Sequence, residues 1–274
     1  MRNRCSRIGV GLVVAIVSIS VFSSARSSIA ADNPDKQKPS KDSAKKTEKQ
    51  NPRYTFRRIH DPNGIGKFYM GREIAHVMGF GGVDWLERDK REREERLTLL
   101  VKSLKLKPEM VVADIGAGSG VISFLLAEQL ASKGKVVAVD VQQKMLDRLK
   151  KRMKERKITN IKLVKGTSKS PKLKASSIDW VIMVDVYHEF EFPYEMLLEL
   201  SKSLKPGGKI AFVEYRKEDP TVPIKLVHKM YERQVKKEAG LPEFGLKWVE
   251  TIGVLPWQHI VVFERAGKES SPAK

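Results

Sequence analysis

The chain has 274 residues, 41% hydrophobic and 31% charged, with a formal net charge of +19 and one cysteine. That balance suits a soluble globular protein with a charged surface. The length allows one large domain or two small ones. The single cysteine, Cys5, sits in the extreme N-terminal stretch, so a processed chain has no thiol for disulfides, Cys-ligated metal or thiol catalysis.

The first seven residues carry Arg2, Arg4 and Arg7 and no acid, and Ile8 to Phe22 is an apolar run broken only by serines and glycines. Ser28-Ile29-Ala30 then presents small residues in the positions that a signal peptidase reads. This layout predicts a signal peptide over residues 1–30, cleaved after Ala30, and an exported protein. The alternative is an uncleaved segment tethering the protein to the membrane. Removing the arginines at 2, 4, 7 and 26 leaves a net charge of +15. Much of that charge is lysine and arginine at helical spacing, such as Lys144, Arg148 and Lys151, which reads as a solvated face rather than a nucleic-acid site. No aromatic-interleaved basic motif, zinc-ligand spacing or RNA-binding signature accompanies it. Weak association with an anionic membrane surface through the basic segments is compatible with this charge.

Residues 31–53 are Lys, Ser, Asp, Gln and Pro with almost nothing apolar. Such a segment buries too little surface to offset its ordering entropy and is expected to be a disordered linker. From Tyr54 the chain becomes mixed. Asp61-Pro62-Asn63-Gly64 is turn-rich, Phe68 to Met78 reads as a short helix, and Trp85 to Leu104 as a long charged helix capped by Asp84.

Met110 to Ala113 is an apolar run that reads as a buried strand, and Val121 to Ala127 as a buried helix. Between them lies Asp114-Ile115-Gly116-Ala117-Gly118-Ser119-Gly120. A glycine turn here lets backbone come within contact distance of a ligand. A dinucleotide fingerprint would need its third glycine at 121, which is Val121. A second strand, Lys135 to Val139, ends in Asp140, about 20 residues beyond the loop, where such folds place a carboxylate on ribose hydroxyls. Further strands follow at Ile161 to Val164, Trp180 to Val184 and Lys209 to Tyr215, the last entered by Leu204-Lys205-Pro206-Gly207-Gly208. A helix is predicted from Ile224 to Ala239, then strands Leu246 to Leu255 and Gln258 to Phe263, and residues 266–274 are expected to be a disordered tail.

The acid-led triple glycine, Asp140 and the Leu-Lys-Pro-Gly-Gly turn resemble the class I S-adenosylmethionine (SAM) dependent methyltransferases. The resemblance spans residues 54–265, with 54–104 as a helical lid segment and 105–265 as a Rossmann-like core; it makes Tyr69 and Arg72 lid contacts, against the competing account of an amphipathic helix docking on the domain. It implies an α/β fold, a seven-stranded mostly parallel sheet with helices on both faces and an antiparallel final strand, preceded by an N-terminal helical segment. It also implies SAM as cofactor, contacted by Asp114, Gly116, Ala117, Gly118, Gly120, Asp140, Val141, Thr167, Ser168 and Asp185. Lys165-Gly166-Thr167-Ser168 departs from the family pattern, which often carries an acid here for the adenine amino group.

Asp185-Val186-Tyr187-His188-Glu189 ends the fourth of these strands. His188 is the candidate for positioning the acceptor or removing its proton, with Tyr187 beside it, because imidazole accepts a proton near neutral pH. Capping of the next helix is the competing account of His188 and Glu189. The function expected is methyl transfer from SAM to a small-molecule acceptor by direct displacement, with no nucleic-acid partner and no metal. The absence of mature thiols excludes arsenite methylation of the usual kind. The alternative is a non-catalytic exported ligand-binding or interaction module that retains the fold. The sequence does not define an oligomeric state.

Overall fold

A computed structural model describes residues 53–267. The expected signal peptide, the expected linker up to residue 52 and the expected tail from residue 268 lie outside the described residues. Among the described residues, no helix is long and apolar enough to cross a membrane.

The chain opens with three antiparallel strands, β1 (Tyr54–Phe56), β2 (Gly64–Tyr69) and β3 (Arg72–Ala75), in the order β1-β2-β3. The helix expected from Phe68 to Met78 is therefore a hairpin. Tyr69 pairs with Arg72 across a two-residue loop, Met70-Gly71, both at positive φ, the twist that suits a tight hairpin. The long helix expected from Trp85 to Leu104 is also corrected. It divides into α1 (Val83–Leu86), α2 (Arg91–Glu95) and α3 (Leu97–Ser103). Arg96 is left-handed at φ +54° and forces the break between α2 and α3. The apolar positions of this stretch do not form one continuous stripe, so no single straight helix could bury them. Instead α3 buries Leu97, Leu100 and Val101, while α2 turns Arg91 and Glu95 inward.

The core follows in alternation: β4 (Val111–Ile115), α4 (Val121–Leu130), β5 (Lys135–Asp140), α5 (Gln143–Glu155), β6 (Ile161–Lys165), β7 (Ile178–Val184), α6 (Pro193–Ser203), β8 (Leu204–Tyr215), α7 (Glu232–Ala239), β9 (Leu246–Ile252) and β10 (Gln258–Arg265). The sheet order is β6-β5-β4-β7-β8-β10-β9, with β10 antiparallel to both neighbours and the other pairs parallel. This is the expected seven-stranded Rossmann-like sheet. Successive strand residues feed opposite faces. Val112, Ile182 and Val213 pack toward α3 and α4, whereas Ala113, Val181 and Phe212 pack toward α6 and α7. Strands covered on both faces read as continuous apolar runs, which is why the parallel part was recognisable.

The helix expected from Ile224 begins only at Glu232. The preceding residues form a short 3-10 turn, Leu226–His228, and Met230 then pairs in parallel with Arg216 at the end of β8. Backbone spent on that pairing cannot join a helix. The strand order reverses between β4 and β7, and the crevice outside the carboxyl ends of these strands is where ligands bind in open α/β sheets.

Candidate active site

The bend after β4 needs its glycines for two physical reasons. Gly116, Gly118 and Gly120 sit at φ +70°, +53° and +88°, a region that costs other residues about 1–2 kcal/mol. A Cβ on Gly116 would also lie 2.4 Å from Val186 Cγ2, so the loop after β7 packs directly on this backbone. The bend is tied to the next strand. The Gly116 and Ala117 N–H groups donate to the Val139 carbonyl at 2.8 and 3.0 Å. The Gly118 N–H donates to Asp140 Oδ2 at 2.8 Å, and the Gln142 N–H to Asp140 Oδ1 at 2.7 Å. Asp140 thus organises both loops while its carboxylate remains on the cavity wall. Burial pushes its pKa up, against the three backbone donors that pull it down.

That wall encloses about 760 Å³. Gly116, Gly118, Asp140, Val141, Thr167, Ser168 and Asp185 line it, as seven of the expected cofactor contacts. Val141 is apolar yet 43% exposed, a face open to a planar ligand. Asp114, Ala117 and Gly120 do not line it. Asp114 is buried behind the bend, where it accepts from the Ser123 hydroxyl at 2.5 Å, and burial raises its pKa to about 6. A Cβ on Gly120 would meet Leu149 Cδ1 at 2.2 Å, so this glycine serves close packing of α5. These three residues shape the bend rather than the wall.

Asp185 follows β7 with φ +52°, a strained conformation for a residue with a side chain. Its Oδ2 accepts from Gln258 Nε2 at 3.3 Å and lies 3.8 Å from Arg91 Nη2 of α2. Its Oδ1 is buried with no hydrogen-bond partner in the protein, and burial raises its pKa well above the carboxylate range. Asp185 lines the cavity with the rest of its side chain, 12% exposed, while Oδ1 itself is closed off from it.

Tyr187, expected beside the reacting centre, is turned away from it. The ring is fully buried between Phe190 and Phe212, and its hydroxyl donates to Glu238 Oε2 at 2.7 Å. His188 does face the cavity. Its Nδ1 is 2.5 Å from Glu214 Oε2, and Glu214 Oε1 accepts from the Tyr187 N–H at 2.9 Å. Its Nε2 is 3.1 Å from His228 Nδ1. Glu189 does not cap the following helix. Its carboxylate accepts from the Met78 N–H at 3.2 and 3.3 Å. Burial lowers His188 to about 4 and His228 to about 4, and raises Glu189 to about 7 and Glu214 to about 8.

The N-terminal cap completes the enclosure. Met78 bridges the mouth: its carbonyl accepts from Gln142 Nε2 at 2.9 Å, opposite the Glu189 contact. Trp85, Leu86 and Arg91 form another side. Arg72 and Tyr69, expected as lid contacts, are absent from the wall. Arg72 is instead the bolt between the cap and the core. It donates to Glu238 at 2.8 and 2.9 Å and to the His188 carbonyl at 3.0 Å. Sequence reasoning missed Glu214, His228 and His76 on or behind this wall; each is a polar residue in a segment read only as strand or helix.

A family model described as a methyltransferase domain matches residues 106–261. A ubiquinone/menaquinone biosynthesis C-methyltransferase of Wigglesworthia glossinidia brevipalpis is 28% identical over 120 residues, covering 43% of this chain and 48% of that one. A demethylmenaquinone methyltransferase of Lactococcus lactis is 26% identical over 147 residues, covering 53% of this chain and 56% of the relative. The chain therefore spans about half the length of these curated relatives. Among solved structures, a SAM-dependent methyltransferase from Aquifex aeolicus superposes with a TM-score of 0.65 at 23% identity, over 69% of this chain and all of that one. That likeness is one of fold.

Proposed function

The chain belongs to the methyltransferase-domain family, and on that premise we propose that it transfers a methyl group from SAM to a small-molecule acceptor held in the same cavity. The wall fits this cosubstrate. The bend at Gly116 and Gly118 gives close backbone approach, Asp140 keeps acceptor capacity for ribose hydroxyls, and Asp185 stands on the same wall toward the amino-acid end. Thr167 and Ser168 line the side where the adenine amino group would be met, although the Thr167 hydroxyl already accepts from the Ser170 N–H at 3.0 Å. When bound, SAM supplies an electrophilic methyl on sulfonium.

The remaining work falls to the chain. Transfer by direct displacement needs the acceptor atom in line with the methyl and water excluded, so orientation supplies much of the rate. The observation that carries the reading is one continuous cavity running from the glycine bend to His188 and His228. At about 760 Å³ it is at the upper end of single-ligand pockets, which suits donor and acceptor side by side. Val77, Met78, Phe190 and Ile224 give its far half an apolar lining, and His188, Glu189 and His228 give it a polar end. An acceptor with an apolar ring and one polar edge matches this, and the quinone-pathway names of the relatives point to the same chemical class. His188 is proposed to orient that polar edge, held by Glu214.

A thermal-shift titration with SAM and its demethylated product tests the donor half. Labelled SAM with lipid and aqueous extracts tests the acceptor half, with label expected in a small organic-soluble product. No shift with either donor ligand overturns the reading. Label appearing only in protein or nucleic acid overturns the acceptor class. Export is likewise proposed, from Met1 to Ala30 alone; N-terminal sequencing of the mature protein should begin at Ala31.

A further inference from the structure

The polar end of the cavity has a geometry that methyl transfer does not require. His188 Nε2, His228 Nδ1 and Glu189 Oε1 form a triangle with edges of 3.1, 3.8 and 3.9 Å. A tetrahedral ion with bonds of about 2.0–2.2 Å to nitrogen and carboxylate oxygen sets its ligands about 3.4 Å apart. The observed edges bracket that distance, so a shift of about half an ångström would close the set around one ion. We propose that His188, Glu189 and His228 bind a single divalent transition-metal ion of the zinc class, with its open coordination position facing the cavity.

Three further observations support this. The ligand set is two imidazoles and one carboxylate, which suits zinc, cobalt or ferrous iron and not the all-oxygen cations. The second ring nitrogen of His188 is engaged by Glu214 Oε2 at 2.5 Å, and Glu214 is fixed in turn by the Tyr187 N–H. A carboxylate behind the histidine is the arrangement that fixes ring orientation and tautomer at metal sites. Glu189 is also aimed, because its oxygens accept from the Met78 N–H. The ligands come from two 3-10 turns, Tyr187–Glu189 and Leu226–His228, which the core holds in contact. All three residues line the cavity. An ion there would receive an oxygen or nitrogen lone pair from the molecule in the far half. The inference stands apart from methyl transfer, since binding is read without turnover.

The test uses the full chain, stripped with a chelator, dialysed and titrated with Co²⁺ and then Zn²⁺. Visible absorption should rise to saturation at one Co²⁺ per chain and be displaced by Zn²⁺. His228→Ala and Glu189→Gln should each abolish the saturable absorption while retaining the far-UV dichroism of the parent. Glu214→Gln should weaken binding about 10- to 100-fold without abolishing it. Two results overturn the proposal. One is absence of any saturable Co²⁺ signal, which leaves an ordinary His188–His228 hydrogen bond. The other is a signal unchanged in both His228→Ala and Glu189→Gln, which places the ion elsewhere.

Discussion

The seven-stranded core and the N-terminal cap are built from different forces. The core buries Val112, Val181, Ile182, Phe212 and Val261 on two apolar faces. Its packing is non-directional, and it fixes the glycine bend as a by-product of strand order. The cap has a small apolar cluster, Tyr54, Tyr69 and Ile74, that packs on Phe192 and Tyr194 at the start of α6, and several charged joints tie it further to the core. Arg72 meets Glu238, Arg91 reaches toward Asp185, and Glu87 meets Arg148 and Arg152. The donor side of the cavity thus rests on an apolar frame, and its cover on one small apolar contact plus directional polar joints.

Arg72→Ala should give the largest effect. It leaves the fully buried Glu238 carboxylate without its bidentate partner, and breaking a buried pair costs about 3–5 kcal/mol. The His188 carbonyl loses a donor as well. Urea unfolding should show a loss of that size, and a loss under about 1 kcal/mol would mean that the joint behaves like a surface pair. Gly116→Ala attacks the frame's side of the comparison. Left-handed strain of about 1–2 kcal/mol and the contact with Val186 add to about 2–4 kcal/mol. The folded free protein carries this cost, so urea unfolding should show a loss of that size, and whatever part is relieved by movement of the bend should reappear as weaker SAM binding by calorimetry.

The division also explains what could be read in advance. The strands β4, β5, β7 and β8 declared themselves because burial on both faces makes apolar runs, and the glycines because a positive φ restricts the residue type. Asp140 and Asp185 were found as acids at strand ends. The cap is less legible because its contacts with the core join residues far apart in sequence and follow no period. Arg72 and Glu238 are 166 positions apart, and nothing near either residue signals the other. The hairpin at Met70-Gly71 was missed through its turn chemistry, since only the glycine is a usual turn residue. His228 was assigned to a helix that does not begin until Glu232, and Glu214 looked like one more strand residue. Tyr187 is next to His188 in sequence, but adjacent residues of a short turn point to different sides, and its ring goes to the core.

Asp114→Asn tests the frame by pH. Burial raises Asp114 from 3.8 to about 6, so the folded state binds its proton more tightly than the unfolded chain. Its contribution to stability is full below about pH 4 and is lost as pH rises toward 6, about 3 kcal/mol in all. Asparagine still accepts from the Ser123 hydroxyl and carries no charge. The variant should therefore gain on the parent as pH rises from 4 to 7, by up to about 3 kcal/mol, and then hold a constant lead. A difference that is flat across that window would mean that Asp114 is solvated or paired in solution.

The smallest effect sharpens the comparison most. Glu87 follows α1 and accepts from Arg148 Nε and Nη2 at 3.1 and 2.6 Å and from Arg152 Nη1 at 3.1 Å. Arg148 is 38% exposed, so this joint sits in high dielectric and is screened by salt. Glu87→Ala should cost at most about 1 kcal/mol of global stability. Its local consequence should be larger, because α1 carries Trp85 and Leu86 onto the cavity wall. Hydrogen exchange over residues 83–95 should speed up while exchange in β4 and β7 stays unchanged. Raising salt should reproduce the same pattern in the parent. Equal acceleration in both regions would instead mean that the cap and core open as one unit, and that the polar joints do not divide the molecule into a frame and a cover.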